Sequence, residues 1–520
     1  MKLLGAVGSV TLACFLLLLD QSILATATPV ITSKFHSLPD VGWYAGAYQL
    51  ANASLQPLTG KIYTYFSAKS TFLIFFFIFE LGSLLCGVAN SSSMLIGGRA
   101  IAGIGASGLM NGGMTIISGA VPLHKRPIYT GVILGFAQLG IILGPLIGGA
   151  LTEYTSWRWC FFINLPIGGL VAILLFIIEI PDLTVKEPFS LALVRKVLPE
   201  LDLFGFSLFA PAAVMFLLAI QFGGDNSHPW NSSVVIGLFC GAGVTAILFV
   251  AWEIRRGDRA MIPGPIVRQR IVWSSTGQGA FLMASIFIAS YFMPIYFQAV
   301  KGVGPTMSGV YLLPSILTSL LFVLVSGAAI SKLGYYLPWA LFSGGIMAIG
   351  SGLVSTFSPS TTTGEWIGYQ IILGAGRGPG MQVGMIAIQN TLRADQIPVS
   401  IAFLIFAQSF AGAISIVIAT TIFTQSLTTS LGKYAPSVSA QQALAAGGGA
   451  QAIRALVPEG SNELAGVLRA YSKSVDHVFY LLVGFALVSF TFSWGMGWKD
   501  IRKKKDVPKA DEKTEGGETV

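Results

Sequence analysis

Residues 3–20 read Leu3-Leu4-Gly5-Ala6-Val7-Gly8-Ser9-Val10-Thr11-Leu12-Ala13-Cys14-Phe15-Leu16-Leu17-Leu18-Leu19-Asp20. About 20 apolar residues suffice for an α-helix to cross the hydrocarbon core of a bilayer. A carboxylate at such a depth costs at least about 2.5 kcal/mol, so Asp20 needs a partner or a task. With Lys2 before it and Ala25-Thr26-Ala27 after it, the run has the outline of a secretory signal. Asp20 breaks the apolar stretch before any cleavage site, and thirteen further apolar runs follow, so the segment reads as a retained membrane helix.

Outward from that run, composition tells the same story. Hydrophobic residues make up 53% of the 520 and charged residues 10%, with a mean hydropathy of +0.73. A soluble domain carries roughly 25% charged residues. The net charge of +8 is spread over short clusters between apolar runs, such as Lys125-Arg126, Arg255-Arg256 and Arg502-Lys503-Lys504-Lys505. That distribution marks membrane topology and excludes a nucleic-acid-binding face. Cys14, Cys86, Cys160 and Cys240 all fall in apolar segments, as core thiols rather than a disulfide or metal framework.

A 20-residue ruler gives fourteen spans, beginning near Leu3, Trp43, Thr71, Met94, Ile128, Cys160, Asp202, Ser233, Val272, Met307, Tyr336, Trp366, Pro398 and Val475. Pro211 interrupts the seventh, and Gly241 and Gly243 the eighth. With both termini cytoplasmic, 22 of the 31 basic residues fall on the inner side, the expected bias. Sequons stand at Asn52, inside a span, and at Asn90 and Asn231 in outer loops, where they are candidate glycosylation sites.

The spans divide as six, two and six. The expected organisation is an N-terminal six-helix bundle (1–180), a linker with two extra helices (181–270), a C-terminal six-helix bundle (271–498) with a long outer loop (426–474), and a cytoplasmic tail (499–520). The linker contains Lys186-Glu187-Pro188 and a short amphipathic run from Leu191 to Leu198. Gly60, with Ser67 and Lys69 downstream, is matched after the tenth span by Gly327, with Gly334 and Tyr336 at the same offsets, the trace of a duplicated half.

Four ionisable residues lie within spans: Asp20, Glu80, Arg99 and Arg377. At a rise of about 1.5 Å per residue, Asp20, Glu80 and Arg99 sit about 10, 14 and 9 Å from the outer helix ends, in one layer. One arginine neutralises one carboxylate and leaves the other buried alone, in the state that favours holding a proton. A carboxyl that gains and loses a proton as water reaches it from either side is the core of proton-coupled exchange, so Asp20, Glu80 and Arg99 are the proton-coupling candidates. Arg377 has no acidic partner in its own span; it either faces a central cavity and attracts anionic substrate groups or binds helix carbonyls. In the fifth span Gly140, Gly144 and Gly148 share a face for close helix approach, with Pro145 and Gly149 beside them as a hinge or seal.

Together these residues resemble the major facilitator superfamily, in particular its fourteen-span drug:proton antiporters of filamentous fungi, along the whole chain. Leu19-Asp20-Gln21-Ser22-Ile23 is similar to the first-helix acidic motif, and Gly98-Arg99-Ala100-Ile101-Ala102-Gly103-Ile104-Gly105 to the fourth-helix arginine motif. Gly140 to Gly149 is similar to the fifth-helix antiporter motif, which in the family goes with export. Val121-Pro122-Leu123-His124-Lys125-Arg126-Pro127, Trp157 to Pro166 and Tyr291 to Gly302 resemble signatures of the fungal branch. The inner-gate loop motif is only partly kept: Gly60, Lys61 and Lys69 fit, whereas Thr64 replaces an Asp and Ser67 a Gly. The family's hydrophilic N-terminal tail does not precede the first span, so regulation by phosphorylation there is not expected.

The resemblance implies an all-α polytopic membrane protein, two six-helix bundles rocking about a midplane cavity with the extra pair packed outside. It implies a monomer that exports small organic molecules (drug, toxin or secondary metabolite) in exchange for protons, with the proton gradient as energy source and no cofactor. The expected location is the plasma membrane or the vacuolar membrane. Gln49, Asn52, Gln56, Asn111, Gln138, Gln278, Gln382, Gln389 and Asn390 are polar residues in or near spans and, with Arg377, the candidates to line the cavity. The alternatives are a siderophore or other uptake carrier of the same fold, and a membrane sensor without transport. An enzyme is disfavoured: no nucleophile elbow or His-Glu-x-x-His occurs, and the four histidines do not cluster. No phosphate-binding loop is present for an ATP-driven pump.

Overall fold

The computed structural model describes residues 2–36, 40–224, 228–446, 453–457 and 462–502. It is helical throughout; the isolated bridge Tyr335–Asp500 is the only β pairing among these residues. Among the described residues, thirteen helical stretches are long and apolar enough to span a bilayer. The fourteenth, α2 (Val41–Tyr65), has the length, 25 residues or about 37 Å. It is less apolar because Gln49, Asn52 and Gln56 occupy it. A helix can carry such amides through a membrane only when they face protein or a cavity.

The N-terminal unit consists of α1 (Lys2–Phe35), α2, α3 (Ala68–Gly87), α4 (Ser92–Ala120), α5 (Arg126–Tyr154) and α6 (Asn164–Ile177), the last preceded by the single turn Trp159–Phe162. The inserted pair is α7 (Leu203–Gly224) and α8 (Ser233–Arg256). The C-terminal unit is α9 (Arg270–Ala299), α10 (Leu313–Leu333), α11 (Leu337–Val354), α12 (Thr363–Thr391), α13 (Ile397–Tyr434) and α14 (Asn462–Ser493). Chain direction puts residue 2, the 66–67 and 121–125 turns, the 178–202 and 257–269 linkers and residue 502 on one face, here the terminal face. The other is the distal face.

Several boundaries differ from expectation. Pro211 does not break α7, nor do Gly241 and Gly243 break α8. The stretch read as a loop over 426–474 is largely helical where described: α13 runs on to Tyr434, Ala440–Ala446 forms a short helix, and α14 starts at Asn462 rather than near Val475. The early part of α14 carries Arg469, Lys473 and Asp476, so hydropathy alone hides it. Gly60 and Lys61 are not in a loop but in the last turns of α2, and Lys69 is in the first turn of α3. Cys14, Cys86 and Cys160 are buried, whereas Cys240 is exposed on α8. The tail beyond Arg502 lies outside the described residues.

Polar side chains tie off the helix ends, as they must where carbonyls would otherwise face lipid. Arg126 donates from Nε to the Val121 carbonyl at 3.0 Å and from Nη2 to that of Ser118, closing the end of α4. Arg158 Nη1 donates to the Gly87 and Ala89 carbonyls at 3.1 and 2.6 Å, closing α3, and its Nη2 donates to exposed Asn90 at 3.2 Å. Lys69 closes α6 through the Phe176 and Ile178 carbonyls at 2.9 and 2.8 Å. Asn231 is exposed just before α8.

The two six-helix units meet along two seams, α5 on α10 and α2 on α13. The inserted pair is not wholly outside them: α7 leans on both α2 and α13, and Phe209 and Phe216 pack on Phe406 and Phe410. Only α8 stands clear, with most of its surface facing outward.

Candidate substrate cavity and buried ion pair

Asp20 lies on α1 and Arg99 on α4, and the fold joins them. Arg99 Nη1 stands 2.6 Å from Asp20 Oδ2, with both side chains buried. Arg99 Nε donates to the Tyr44 carbonyl at 3.0 Å, and its guanidinium lies 4.5 Å over the Tyr48 ring. Asn164 on α6 donates to Asp20 Oδ1 at 3.1 Å and to Ser83 Oγ at 3.0 Å. A charge pair withdrawn from water survives when its remaining lone pairs and protons are satisfied, and here α2 and α6 supply the groups, with Ser83 of α3 behind Asn164.

Glu80 belongs to the same region but not to the pair. Both of its carboxylate oxygens are buried without a hydrogen-bond partner. They abut α6, where a Cβ on Gly168 would come 2.0 Å from Oε1. Gly168 follows Asn164 by one helical turn, so α6 touches both carboxylates. The expected division, one acid paired and one alone, is what the geometry presents.

Three of the fifth-helix glycines are the seam between α5 and α1, the helix that carries Asp20. A Cβ on Gly140 would meet Leu19 N at 2.7 Å, one on Gly144 would meet Ser22 Oγ at 1.9 Å, and one on Gly148 would meet Thr26 Oγ1 at 2.4 Å. Ser22 Oγ also donates to the Gly140 carbonyl at 2.9 Å. Gly149 has nothing within 4 Å and Pro145 is exposed, so neither belongs to the seam.

Between the two units lies a cavity of about 500 Å³, within the range of sites for drug-sized molecules. Of the residues expected to line it, Gln49, Asn52, Gln56, Gln138 and Arg377 do so. Gln21, Ser22, Tyr48 and Gln408 also line it and were not anticipated, although a glutamine and a serine directly after Asp20 were a visible signal. The opposing wall from the C-terminal unit is mostly apolar, with Met283, Phe287, Met293, Met381 and Met385 set around Arg377 and Gln408. Tyr48 therefore stands between cavity and ion pair: one side of its surroundings is the cavity, the other the Arg99 guanidinium.

Asn111, Gln278, Gln382, Gln389 and Asn390 do not line this cavity. They sit nearer the terminal face, inside packed helices. Asn111 donates to Thr59 Oγ1 at 3.2 Å, Gln278 to the Gly380 carbonyl at 3.2 Å, and Gln382 to the Val323 carbonyl and Ser326 Oγ at 2.8 Å each. Gln389 is buried with neither amide atom hydrogen-bonded.

On that terminal side the units touch backbone to backbone. A Cβ on Gly60 would lie 2.7 Å from Val399 Cα, and one on Gly327 would lie 2.6 Å from the Pro127 oxygen. Gly60 and Gly327, matched by the repeat in sequence, thus perform the same contact on the two seams. Lys61 and Lys69 do not meet: Lys61 Nζ reaches the Arg259 carbonyl at 3.4 Å, in the linker after α8.

A sequence profile described as Major Facilitator Superfamily matches residues 10–416. The chain is similar to the MFS-type transporter calB of Penicillium decumbens, at 62% identity over 97% of this chain and 90% of that one. It is similar also to the efflux pump mlcE of Penicillium citrinum, at 52% identity over 98% and 93% of the two chains. Among solved structures, the proton:xylose symporter XylE superposes with a TM-score of 0.60 at 12% identity, covering 96% of this chain and 97% of that one. The human organic anion transporter MFSD10 superposes with a TM-score of 0.59 at 13% identity, over 93% and 99% of the two chains; both likenesses speak for the fold alone. The profile match and the full-length relatives identify this chain as a member of the major facilitator superfamily, a multi-pass membrane transporter and not an enzyme.

Proposed function

We propose that this protein exports small organic molecules in exchange for protons by alternating access. The observation that carries the reading is the buried Asp20–Arg99 pair held directly behind Tyr48, a residue of the cavity wall. A proton arriving at this cluster alters the charge that Arg99 feels, and Arg99 is in contact with the wall that substrate touches. Glu80, buried and unpaired beside α6, is the second group able to take up a proton there. The direction is drawn from relatives named as efflux pumps at about half identity and from the fifth-helix glycine seam.

In this reading residues 1–180 and 271–498 are the two rocking units and 181–270 the inserted pair, and the protein works as a monomer. With both termini cytoplasmic, as the basic residues favour, the seams at Gly60 and Gly327 are the cytoplasmic gate, closed in this conformation. Opening them turns Asn111, Gln382, Gln389 and their neighbours toward water, which supplies the partners their orphaned amide atoms lack. The plasma membrane is the proposed location, with drugs, toxins or secondary metabolites as the substrate range.

The test is export of candidate compounds from cells with and without the protein, repeated with a protonophore. Protein-dependent export that collapses with the gradient is expected. Export undiminished by the protonophore would rule out the proton coupling.

A further inference from the structure

The internal repeat shows how the two units have divided their charges. On α4, Gly103 and Gly105 bring in the neighbouring helices: a Cβ on the first would meet the Tyr48 oxygen on α2 at 2.3 Å, and one on the second would meet Phe79 N on α3 at 2.3 Å. On α12, Gly374 and Gly376 make the equivalent approaches, to the Ser315 oxygen on α10 at 2.2 Å and Met347 N on α11 at 2.3 Å. This register places Gln370 where the first unit has Arg99, and Arg377 where it has Ala106. The second unit thus has a neutral amide at the position of the paired cation. Its own cation stands two helical turns further along, about 10 Å, at a position facing the cavity.

Arg377 is nearly buried and, among the described residues, is the only charged one lining the cavity. Its Nη2 donates to the Ser285 carbonyl at 3.0 Å, while its Nε is buried with no hydrogen-bond partner. A guanidinium cannot shed its charge by losing a proton, and a single carbonyl dipole does not neutralise it. Asp20 is engaged with Arg99 and is not among the residues lining the cavity.

We propose that the transported molecule itself supplies the counter-ion, so that the substrates are amphipathic organic anions with one carboxylate on an apolar skeleton. A single planar fork matches one carboxylate in shape and charge, whereas a dianionic phosphate would leave an unbalanced charge in the cavity. The rest of the wall fits such a molecule. The methionine and phenylalanine side from the C-terminal unit adapts to a carbon skeleton. Gln49, Asn52, Gln56 and Gln138 on the other side offer amides to neutral hydroxyl or carbonyl groups. The proposal rests on the export reading above and adds to it the chemical class of the cargo.

The test uses the full chain in vesicles of phosphatidylcholine, a zwitterionic lipid with no net charge and no carboxylate, under an imposed proton gradient. Cholate and naproxen are offered as carboxylates, as their primary amides and as the matching primary amines. Accumulation is read by mass spectrometry against protein-free vesicles. Expected is protein-dependent accumulation of the carboxylates that falls about tenfold or more in Arg377→Gln and partly returns in Arg377→Lys. The glutamine amide ends at the position of Nε, two bonds short of the Nη2 that meets the Ser285 carbonyl, so a size-exclusion profile and thermal midpoint matching wild type verify that the variant folds. Accumulation of amides or amines but not carboxylates, or carboxylate accumulation equal in wild type and folded Arg377→Gln, overturns the anion proposal and leaves export standing. If no compound of any head group accumulates with the wild-type chain, both readings fail.

Discussion

Gln370 holds in the C-terminal unit the place that Arg99 holds in the N-terminal one: it donates to the Tyr311 carbonyl at 2.8 Å, as Arg99 donates to the Tyr44 carbonyl at 3.0 Å. The fold therefore asks only for a donor at this position. The charge at Arg99 is additional, and with it comes the partner Asp20.

It follows that Arg99→Gln retains the contact to Tyr44 but strands Asp20, and Asp20→Asn strands Arg99. Each single variant is expected to insert, to lose about 3–5 kcal/mol of stability and to lose proton-driven flux. The double variant Asp20→Asn/Arg99→Gln should recover most of the thermal midpoint and none of the flux. A double variant that transports with proton coupling would remove the pair from the mechanism.

Glu80→Gln replaces an unpartnered carboxyl with a neutral group of similar size, so stability is expected to hold or rise. If Glu80 carries a proton in each cycle, the number of protons moved per substrate drops and the pH dependence of exchange flattens. An unchanged ratio and profile would leave Asp20 as the carrier.

Tyr48 separates cavity from ion pair, which two substitutions distinguish. Tyr48→Phe keeps the ring under Arg99 and loses only a long 3.5 Å contact from Gln21, so near-normal exchange is expected. Tyr48→Ala opens a path for water to Asp20, and substrate-independent proton leak should rise, measured with a pH dye inside vesicles. A tight Tyr48→Ala variant would mean that the partition lies elsewhere.

How far these features could be read beforehand depended on chemistry. Asp20, Glu80, Arg99 and Arg377 were conspicuous because a charge in an apolar run is expensive and therefore rare. Asn164 was not, since a neutral amide costs little enough to pass among aromatic neighbours, yet it bonds Asp20. Depth along a helix gives height but not azimuth, so the layer shared by Asp20, Glu80 and Arg99 was legible while which of the two acids pairs with Arg99 was not. The same limit applied to the cavity: Gln49 and Gln382 look alike in sequence, and only packing puts one in the cavity and the other in the α5–α10 seam. The small-residue face of α5 was evident from spacing, but its partner α1 was not.

Gly327 lies against Pro127 so closely that a larger side chain cannot fit without parting the units. Gly327→Val should disfavour the closed terminal side by about 1–3 kcal/mol, shifting the balance between conformations by roughly 5- to 150-fold. A Gln389→Cys reporter in a Cys240→Ser background would report this as faster maleimide labelling, with slowed exchange. Unchanged labelling in a folded variant would show that the seam is not the gate.

Asp202 precedes α7 with a backbone φ of +51°, and its carboxylate gathers three donors. Oδ1 accepts from Gly205 N at 3.1 Å and Trp252 Nε1 at 2.8 Å, and Oδ2 from Met261 N at 3.0 Å. Glu253 shares the last, accepting from Met261 N at 3.1 Å and Ile262 N at 2.9 Å. The two acids thus bind the start of α7, the end of α8 and the linker into one knot, beside which Lys61 of α2 reaches the Arg259 carbonyl. Asp202→Ala leaves buried donors without acceptors and should cost about 1–3 kcal/mol for each one that water cannot reach. Asp202→Gly relieves the backbone but restores no acceptor, so it should recover only a small part of that loss. Because α7 also packs on α13, loosening the knot removes a link between the two six-helix units, and Asp202→Ala should lower exchange more than binding, measured as kcat against KM. A variant with unaltered thermal midpoint and kcat would make the inserted pair a passenger on the transport cycle.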